Sequence, residues 1–335
     1  MISGRQLLPV AALALACGGG PMPSAPSGGV NDKTGGLPPG PLAFHASPLA
    51  IDGIRFITPL GNLNPPGHTT PTDHIYFYFA APDAGESPGS RTMSVFAPAD
   101  GTIFFVIGGQ GTESKVMMRV SGNYIYYLDH VVPDTPVDPG TKVTAGERLG
   151  RTGSAYGIDL GVINYGVTRS ILSPFRYPDE TVHGDAPLQY FDEPIRSQLY
   201  AKVQRIGADL DGKFDFDRAG RLSGNWFLDS GGQDAVSFAR NTYDPSEVRI
   251  ALGGVPLTGV YAIAPGEPAP EDVSVASGLV KYTLTPARTG PPTNPPPAVG
   301  TLLVQMVSDS SIQLEMFVGS FNAGAFTSNA RTFVR

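Results

Sequence analysis

Five residues carry side chains that could bind a metal ion or move protons. Two histidines and an aspartate lie within seven residues of one another, at His68, Asp73 and His74, and His130 and Asp159 follow further along the chain. If a sheet brought all five together, imidazole nitrogens and carboxylate oxygens would supply a ligand set that suits zinc. In the alternative interpretation, His68 and Asp73 only brace their own loop through hydrogen bonds to the backbone. Spacing alone leaves both interpretations open.

The elements that must position these residues are predicted to be short strands. The 42 Gly and 33 Pro of the chain interrupt nearly every apolar run before it reaches helical length. Apolar runs closed by Gly, Pro, Asp or Asn therefore predict an antiparallel meander in the first half of the chain. The predicted strands span residues 51–60, 75–81, 93–97, 102–107, 116–120, 124–128 and 160–165.

A second β domain is predicted to follow one linking helix. Apolar residues recur at helical spacing from Ile195 to Ile206, after Asp192 as N-cap and Pro194 in the first turn. About eight further strands at near-regular spacing then favour a small antiparallel barrel or sandwich. The fold class is thus mostly β, and the strands of the second domain are predicted at 221–228, 235–239, 248–252, 260–264, 273–285, 300–307, 312–318 and 331–334.

A series of segments in the first half carries a family resemblance. The series comprises His74–Pro82, Phe96–Ile103, Tyr127–His130, Val143–Gly153 and Gly157–Val162. In residue type and order these segments resemble the core of the LytM/lysostaphin-type zinc endopeptidases, a family of peptidoglycan endopeptidases. The Val-x-x-Gly-x-x-x-Gly-x-x-Gly spacing of the fourth segment is the most specific match. The resemblance covers roughly residues 55 to 167, about a third of the chain, and implies an antiparallel β-sheet domain.

The resemblance also implies where a zinc site would lie. The first metal ligand of the family corresponds to His74 in this sequence. The family's aspartate ligand corresponds to Tyr78, and its His-x-His pair corresponds to Asp159 and Gly161. His130 matches the remaining catalytic histidine. Glycine has no donor atom and neutral tyrosine is a poor zinc ligand, so we expect the inherited site to bind zinc weakly or not at all. The remaining residues either no longer bind a metal ion or form a rearranged metal site that includes His68 and Asp73.

Aromatic side chains with polar tips suit binding of a glycan or a peptide. Tyr78 and Tyr127 are therefore predicted to line a groove of the first domain. The alternative for each of them is cross-strand packing in the sheet.

The N-terminus is typical of an exported protein. Arg5 precedes an apolar run from Leu7 to Ala16, which ends at Cys17 and three glycines. The end of this run resembles a bacterial lipobox, which implies that Cys17 is lipidated and becomes the mature N-terminus; the alternative is an ordinary cleaved signal with an incidental cysteine. Residues 18–42, rich in Gly, Pro and Ser, are predicted to form a flexible tether.

One short motif bears on the second domain. Gly224-Asn225-Trp226 resembles the Gly-x-Trp of lipocalin-like barrels, which implies that a late arginine, Arg331 or Arg335, packs on the tryptophan. A buried tryptophan in any β core is the alternative. If the barrel had an apolar interior with an open mouth, it could bind a small apolar molecule, whereas a filled core would exclude this option.

These observations predict an envelope-facing lipoprotein held at the cell membrane or the outer membrane by its lipid. The net charge of −7, with 23 Lys and Arg against 30 Asp and Glu, argues against a nucleic acid as the partner. We expect a domain that binds or scaffolds, with peptidoglycan or an envelope protein as its partner and no cofactor. The alternative is a zinc endopeptidase that cleaves peptidoglycan cross-bridges through a rearranged ligand set. The predicted parts are a signal peptide at 1–17, a tether at 18–42, an endopeptidase-like domain at 43–207 and a barrel-like accessory domain at 208–335.

Overall fold

The computed structural model describes residues 35–79, 86–87, 89, 91–109, 111–134, 137–230, 234–287 and 296–335. The predicted signal peptide, Cys17 and most of the tether lie outside these residues. Within the described ranges, no helix is long and apolar enough to cross a membrane. The described end of the predicted tether lies against the first domain, where the carbonyls of Pro38 and Gly40 accept hydrogen bonds from Gly122 and Ser121.

The first domain is built on one antiparallel sheet. Its main path runs in the order β1-β2-β9-β6-β5-β4-β7, with β10 paired to β9, β8 paired to β6, and β3 paired to β8. All of these neighbours pair antiparallel. The strands are β1 (Phe56–Thr58), β2 (Ile75–Tyr78), β3 (Ser94–Phe96), β4 (Gly101–Ile107), β5 (Ser114–Arg119), β6 (Tyr124–Pro133), β7 (Lys142–Val143), β8 (Arg148–Thr152), β9 (Gly157–Asn164) and β10 (Gly184–Asp185).

Strand β9 lies inside the sheet, between β2 and β6, and every one of its residues is buried. Because side chains alternate between the two faces of a strand, Ile158, Leu160 and Val162 join the main core. Asp159 and Ile163 point to the opposite face of the sheet, where Ile163 joins a second, smaller core cluster. The predicted site residues on β2, β6 and β9 lie on this second face.

The second domain is a closed antiparallel barrel of eight strands in sequence order, in which the last strand pairs with the first. This confirms the predicted mostly β fold and the barrel. Large side chains fill the interior, including Trp226, Phe238, Tyr282 and Phe333, all fully buried in one continuous core. A filled interior is the outcome that excludes a small apolar ligand inside the barrel. The strands are β11 (Gly224–Leu228), β12 (Ala235–Arg240), β13 (Val248–Leu252), β14 (Gly259–Ile263), β15 (Leu279–Pro286), β16 (Gly300–Ser308), β17 (Ser311–Val318) and β18 (Arg331–Val334).

Two short α-helices occur in the described chain, α1 (Asp179–Val182) and α2 (Ile195–Tyr200). Helix α2 begins where the sequence predicts the linking helix, but it ends six residues before Ile206. Beyond it, the chain turns to pair with β1: Ile57 donates to the carbonyl of Lys202, and Gln204 donates to the carbonyl of Ile57. The predicted length was wrong because these pairings replace the last helical turns.

Buried and partly buried hydrogen bonds join the two domains. The hydroxyls of Thr58 and Tyr243 lie 2.9 Å apart, and the Thr242 hydroxyl donates to the carbonyl of Leu60 at 2.7 Å. On another part of the boundary, the Asn225 amide donates to the Tyr177 hydroxyl at 2.9 Å. The barrel is therefore joined to the first domain by more than the connecting chain.

Candidate functional site

The candidate site lies on the second face of the sheet, across strands β2, β9 and β6. Asp159 of β9 is in register with Tyr76 of β2 and with Asp129 of β6. His74 directly precedes β2, and His130 lies on β6 just beyond Asp129. The alternation of the strands thus brings residues that are 85 positions apart in the chain, His74 and Asp159, to one place.

Asp159 lies between two imidazoles. Its Oδ2 atom is 3.5 Å from Nε2 of His74 and 3.6 Å from Nε2 of His130. The ring of His68 packs edge-on against His74, with 5.4 Å between ring centroids. The structure therefore brings together the four residues His68, His74, His130 and Asp159, and it places Asp73 behind His74.

Each of the two imidazoles is held by a carboxylate at its other nitrogen. Nδ1 of His74 lies 2.9 Å from Oδ1 of Asp73, and Nδ1 of His130 lies 2.6 Å from Oε1 of Glu113. Such pairs fix the orientation of an imidazole ring and its tautomer. Both Nε2 atoms consequently lie near Asp159, although that of His74 is closer to the Tyr76 hydroxyl, at 3.0 Å.

Glu113 and Thr181 belong to the candidate site, and the sequence did not reveal them. Glu113 lies in the turn before β5 and also accepts a hydrogen bond from the Ser154 hydroxyl at 2.8 Å. Thr181 lies on α1 and donates to Asp73. Both reach the site from turns or short helices distant in the chain, and neither forms part of a recognisable motif.

The backbone at His130 is unusual. His130 has a φ of 64°, the only positive φ at a non-glycine residue in the described ranges. The pairing of β5 with β6 is irregular here, because Ser114 pairs with Val131 while Val116 pairs with Leu128. This bulge places two residues of β6 opposite one of β5, and bulges of this kind redirect a side chain out of the regular alternation. The strained conformation turns His130 towards Asp159 and is typical of residues held in place for function.

The protonation of the cluster is set by burial and by its ion pairs. Burial raises the pKa of Asp159 against the opposing charges of His130 and His74. For His74, burial would lower the pKa, but the hydrogen bond to Asp73 and the charge of Asp159 raise it above its usual value. Burial lowers the pKa of His68 to about 4, and the neighbouring charge of His74 adds to this shift. These shifts favour the charged form of His74 and the neutral form of His68.

The two carboxylates that hold the imidazoles, Glu113 and Asp73, are stabilised in their charged form. The hydrogen bond with His130 lowers the pKa of Glu113 to about 2, with a further contribution from Ser154. Burial would raise the pKa of Asp73, but hydrogen bonds from His74 and Thr181 lower it below its usual value. Both carboxylates that orient the imidazoles therefore stay ionised over the physiological range.

The positions of the two missing ligands of the family are occupied or closed. A Cβ atom added to Gly161 would overlap the ring of Tyr127, which lies directly opposite on β6. Tyr78 stacks on Phe56 of the neighbouring strand, with 4.6 Å between ring centroids. Among the residues that the structure describes, no group of three or more His, Cys, Asp or Glu side chains is arranged to hold a metal ion. The residues present do not fit the zinc site of the family.

Tyr127 has little surface of its own. It is buried, its hydroxyl donates to Oδ1 of Asp73 at 3.0 Å, and Nζ of Lys115 lies 4.0 Å from its ring centroid. Tyr78, the other residue predicted to line a groove, is only partly buried. Of the two aromatic side chains, Tyr78 therefore has the more accessible surface.

Comparison with known proteins gives only distant similarities. No protein-family model matches the sequence, and no curated protein matches it. Among solved structures, the chain is similar to Csd3 of Helicobacter pylori (15% identity, 45% of this chain and 35% of that chain, TM-score 0.30) and to the M23 metalloprotease pseudoalterin from the deep sea (15%, 45% and 90%, TM-score 0.27). It is also similar to lysostaphin (11%, 87% and 91%, TM-score 0.28). The match spans about a third of the Csd3 chain, and these values are too low to assign a family.

Proposed function

We propose that this is an exported cell-envelope protein whose first domain binds peptidoglycan without cleaving it. One observation carries the proposal: Tyr127 fills the space that a side chain at residue 161 would need. The sequence resemblance to peptidoglycan endopeptidases supports the ligand class, and the closed ligand position supports the loss of cleavage.

The hydrogen-bond network around Asp73 and His74 can rigidify the surface of the first domain. Asp73 alone accepts hydrogen bonds from Tyr127 and Thr181 and pairs with His74, which links β6, α1 and the start of β2. Satisfied buried networks of this kind rigidify the elements that they join. A rigid surface loses less conformational entropy on binding than a mobile one.

Attachment to a membrane is a further part of the proposal, and it is supported by the sequence alone. Cys17 after an apolar run supplies a lipid anchor, and the Gly-, Pro- and Ser-rich stretch that follows gives the domains reach. The partner would then be a wall polymer, or an envelope protein, within reach of that membrane.

Sedimentation with purified peptidoglycan sacculi tests the proposal. We expect the protein to sediment with sacculi and to release no new amino groups from them over hours. His74→Ala and His130→Ala variants serve as a comparison, because loss of these imidazoles abolishes cleavage in an enzyme but cannot change a release that is already zero. Release of amino groups by the native protein, lost in the His74 variant, would contradict the proposal.

A second candidate function is a zinc endopeptidase with a rearranged ligand set. The observation in its favour is the position of Asp159 Oδ2 3.5 and 3.6 Å from two imidazole Nε2 atoms whose Nδ1 atoms are held by carboxylates. Two ligands of one tetrahedral zinc ion lie about 3.3 Å apart, which follows from bonds of about 2.0 Å. The distance from Asp159 Oδ2 to each Nε2 atom is close to this separation between two ligands. Among the described residues, however, no three such side chains are grouped to hold a metal ion.

Elemental analysis separates the two candidates. The binding proposal predicts no stoichiometric zinc in protein purified without chelator. Zinc near one equivalent that disappears in both the His74→Ala and the Asp159→Ala variants would favour the second candidate instead.

A further inference from the structure

A pocket of about 280 Å³ lies on the boundary between the two domains. The first domain contributes the loop 61–65, and the barrel contributes the β12–β13 turn, Arg249 on β13, and residues 258–260 at the start of β14. Pockets at domain boundaries are common ligand sites. At this volume the pocket has room for one ring-sized group and not for a larger molecule.

Three polar side chains of the lining have hydrogen-bonding capacity to spare. Among the described residues, the Asn64 amide and the Thr258 hydroxyl have no hydrogen-bond partner, and both residues are exposed. Arg249 is buried, and it donates from one Nη atom to Glu247 and from the other to the carbonyl of Val248, so three of its five N–H groups remain. Amide, hydroxyl and guanidinium groups together offer both donors and acceptors.

The charge of the pocket is close to neutral. Its lining contains no Asp or Glu, and Arg249, its one charged group, is already paired with Glu247. An anionic ligand would have to compete with that ion pair. A neutral ligand with several hydroxyl or amide groups fits this lining better, because it needs donors and acceptors but no counter-charge.

An aromatic residue is also part of the lining. Tyr243 borders the pocket, and its hydroxyl is fixed by that of Thr58, 2.9 Å away. An aromatic residue beside amide and guanidinium groups suits a sugar ring, which has an apolar face and a polar rim. We propose that this pocket binds one neutral sugar residue of a glycan chain, an inference that rests on the proposed binding of peptidoglycan and names the part that is recognised.

The position of the pocket joins it to the cluster around Asp159. The loop that borders the pocket closes on itself, because the backbones of Asn64 and His68 exchange two hydrogen bonds of 2.8 and 2.9 Å. Asn64 faces the pocket at one end of this loop, and His68 packs against His74 at the other. A glycan seated in the pocket would therefore run beside the cluster. The barrel gains a role as one wall of the binding site.

Calorimetric titration with the trimer of N-acetylglucosamine tests the inference on the whole protein. Thr258→Val keeps the shape of the side chain but removes its hydroxyl, and Asn64→Ala removes the amide without touching the backbone pair. We expect each change to weaken binding of the trimer by about fivefold, the usual effect of one hydrogen bond. Asn329→Ala, which lies by a different depression of the barrel, should leave binding unchanged.

The outcomes separate this inference from the proposed function. The sugar site would be overturned if the protein sediments with sacculi but does not bind the trimer, or if Thr258→Val and Asn64→Ala have no effect on binding of the trimer. Either result would leave the proposed function standing. Binding of the trimer that these variants weaken, without any sedimentation with sacculi, would support the sugar site and overturn the proposed function.

Discussion

At the scale of single residues, Tyr127 and Gly161 form a matched pair across β6 and β9. An added Cβ at residue 161 would overlap the Tyr127 ring, so Gly161→Ala forces a shift in a buried sheet. We expect it to lower the free energy of unfolding by about 1–3 kcal/mol, the usual cost of overpacking. Chemical denaturation measures this, and Gly324→Ala is the control because nothing lies within 4 Å of an added Cβ there.

The contact between Tyr127 and residue 161 also predicts that the effects of substituting the two residues on stability are not additive. Tyr127→Ala should itself be destabilising, but it opens the space that residue 161 needs. The double variant should therefore lose less stability than the sum of the two single variants, by about 1 kcal/mol or more. Strict additivity would show that Tyr127 does not occupy the closed ligand position.

The pKa of His68 predicts a dependence of stability on pH. Its folded value of about 4 lies below the ordinary 6.5, so the folded state binds fewer protons between these two values. The stability that neutral His68 contributes is therefore complete above pH 6.5 and is lost as pH falls from 6.5 towards 4, with a slope of up to about 1.4 kcal/mol per pH unit.

His68→Gln should remove that slope. The difference between the native protein and this variant, measured by denaturation at pH 7, 6, 5 and 4, isolates His68 from its neighbours. His74 has the opposite sign: its pKa is raised, so its contribution is present below pH 6.5 and is lost as pH rises through the folded value. A difference curve that stays flat between pH 6.5 and 4 would mean that His68 is protonated in the fold as readily as outside it.

How far the sequence predicts the site is clearest at this scale. The resemblance pointed to His74, His130 and Asp159, and their residue types made them candidates for a cluster across the sheet. The spacing could not reveal Glu113, whose carboxylate reaches His130 from a turn, because nothing in the local pattern distinguishes it from an ordinary solvated turn residue. The bulge that turns His130 inward is likewise invisible, since it depends on how β5 and β6 pair.

At the scale of elements, the barrel is closed by the pairing of β18 with β11, and one arginine crosses that seam. The guanidinium of Arg335 lies 4.0 Å from the ring centroid of Trp226, and it donates to the carbonyls of Ser223, Arg218 and Arg221. This is the contact that the Gly-x-Trp motif implied, although the motif did not choose between Arg331 and Arg335.

Removal of Arg335 should destabilise the barrel where β18 pairs with β11. Arg335→Ala loses a cation–π contact and several backbone hydrogen bonds, and we expect it to cost about 2 kcal/mol. Arg335→Lys keeps the charge but not the planar fork, so it should recover less than half of the loss. Because Trp226 is the only tryptophan of the chain, its fluorescence reports the change directly. Equal stability of the lysine variant and the native protein would show that charge alone is enough.

The elements that the sequence misplaced were changed by backbone hydrogen bonds, local in one case and distant in the other. A strand was predicted over residues 273–285, but residues 275–277 form a 3₁₀ turn with a local Ser274–Ser277 capping box, and Gly278 has a φ of 64°, so that β15 starts only at Leu279. The linking helix is shortened by pairing with Ile57, more than 140 residues earlier in the chain. Apolar spacing records which face is buried, but it does not record which distant backbone will take the hydrogen bonds.

At the scale of the whole molecule, the buried bonds between the domains predict cooperative unfolding. Thr242 is buried, its hydroxyl donates to the carbonyl of Leu60, and its own carbonyl accepts from Arg205 at 2.6 Å. Separating the domains would exchange such bonds for hydrogen bonds to water, at a net cost of about 0.5–1.5 kcal/mol for each. We therefore expect the two domains to unfold in a single transition.

Two probes can test this, because Trp226 reports only the barrel while circular dichroism reports both domains. In the native protein the thermal transitions followed by the two signals should coincide. Thr242→Val leaves the Leu60 carbonyl without its donor, and Tyr243→Phe removes the bond to Thr58. Together these changes should lower the midpoint and separate the two signals.

The control for the boundary is Thr168→Val, which makes the same chemical change at an exposed position of the first domain. It should leave one transition with an unchanged midpoint. If the two signals already separate in the native protein, the boundary does not couple the domains. A sugar site shared between them would then have to be assembled at each binding event, with the entropic cost of ordering added to the affinity. Coincident transitions would instead mean that both walls of the pocket are in place before the ligand arrives.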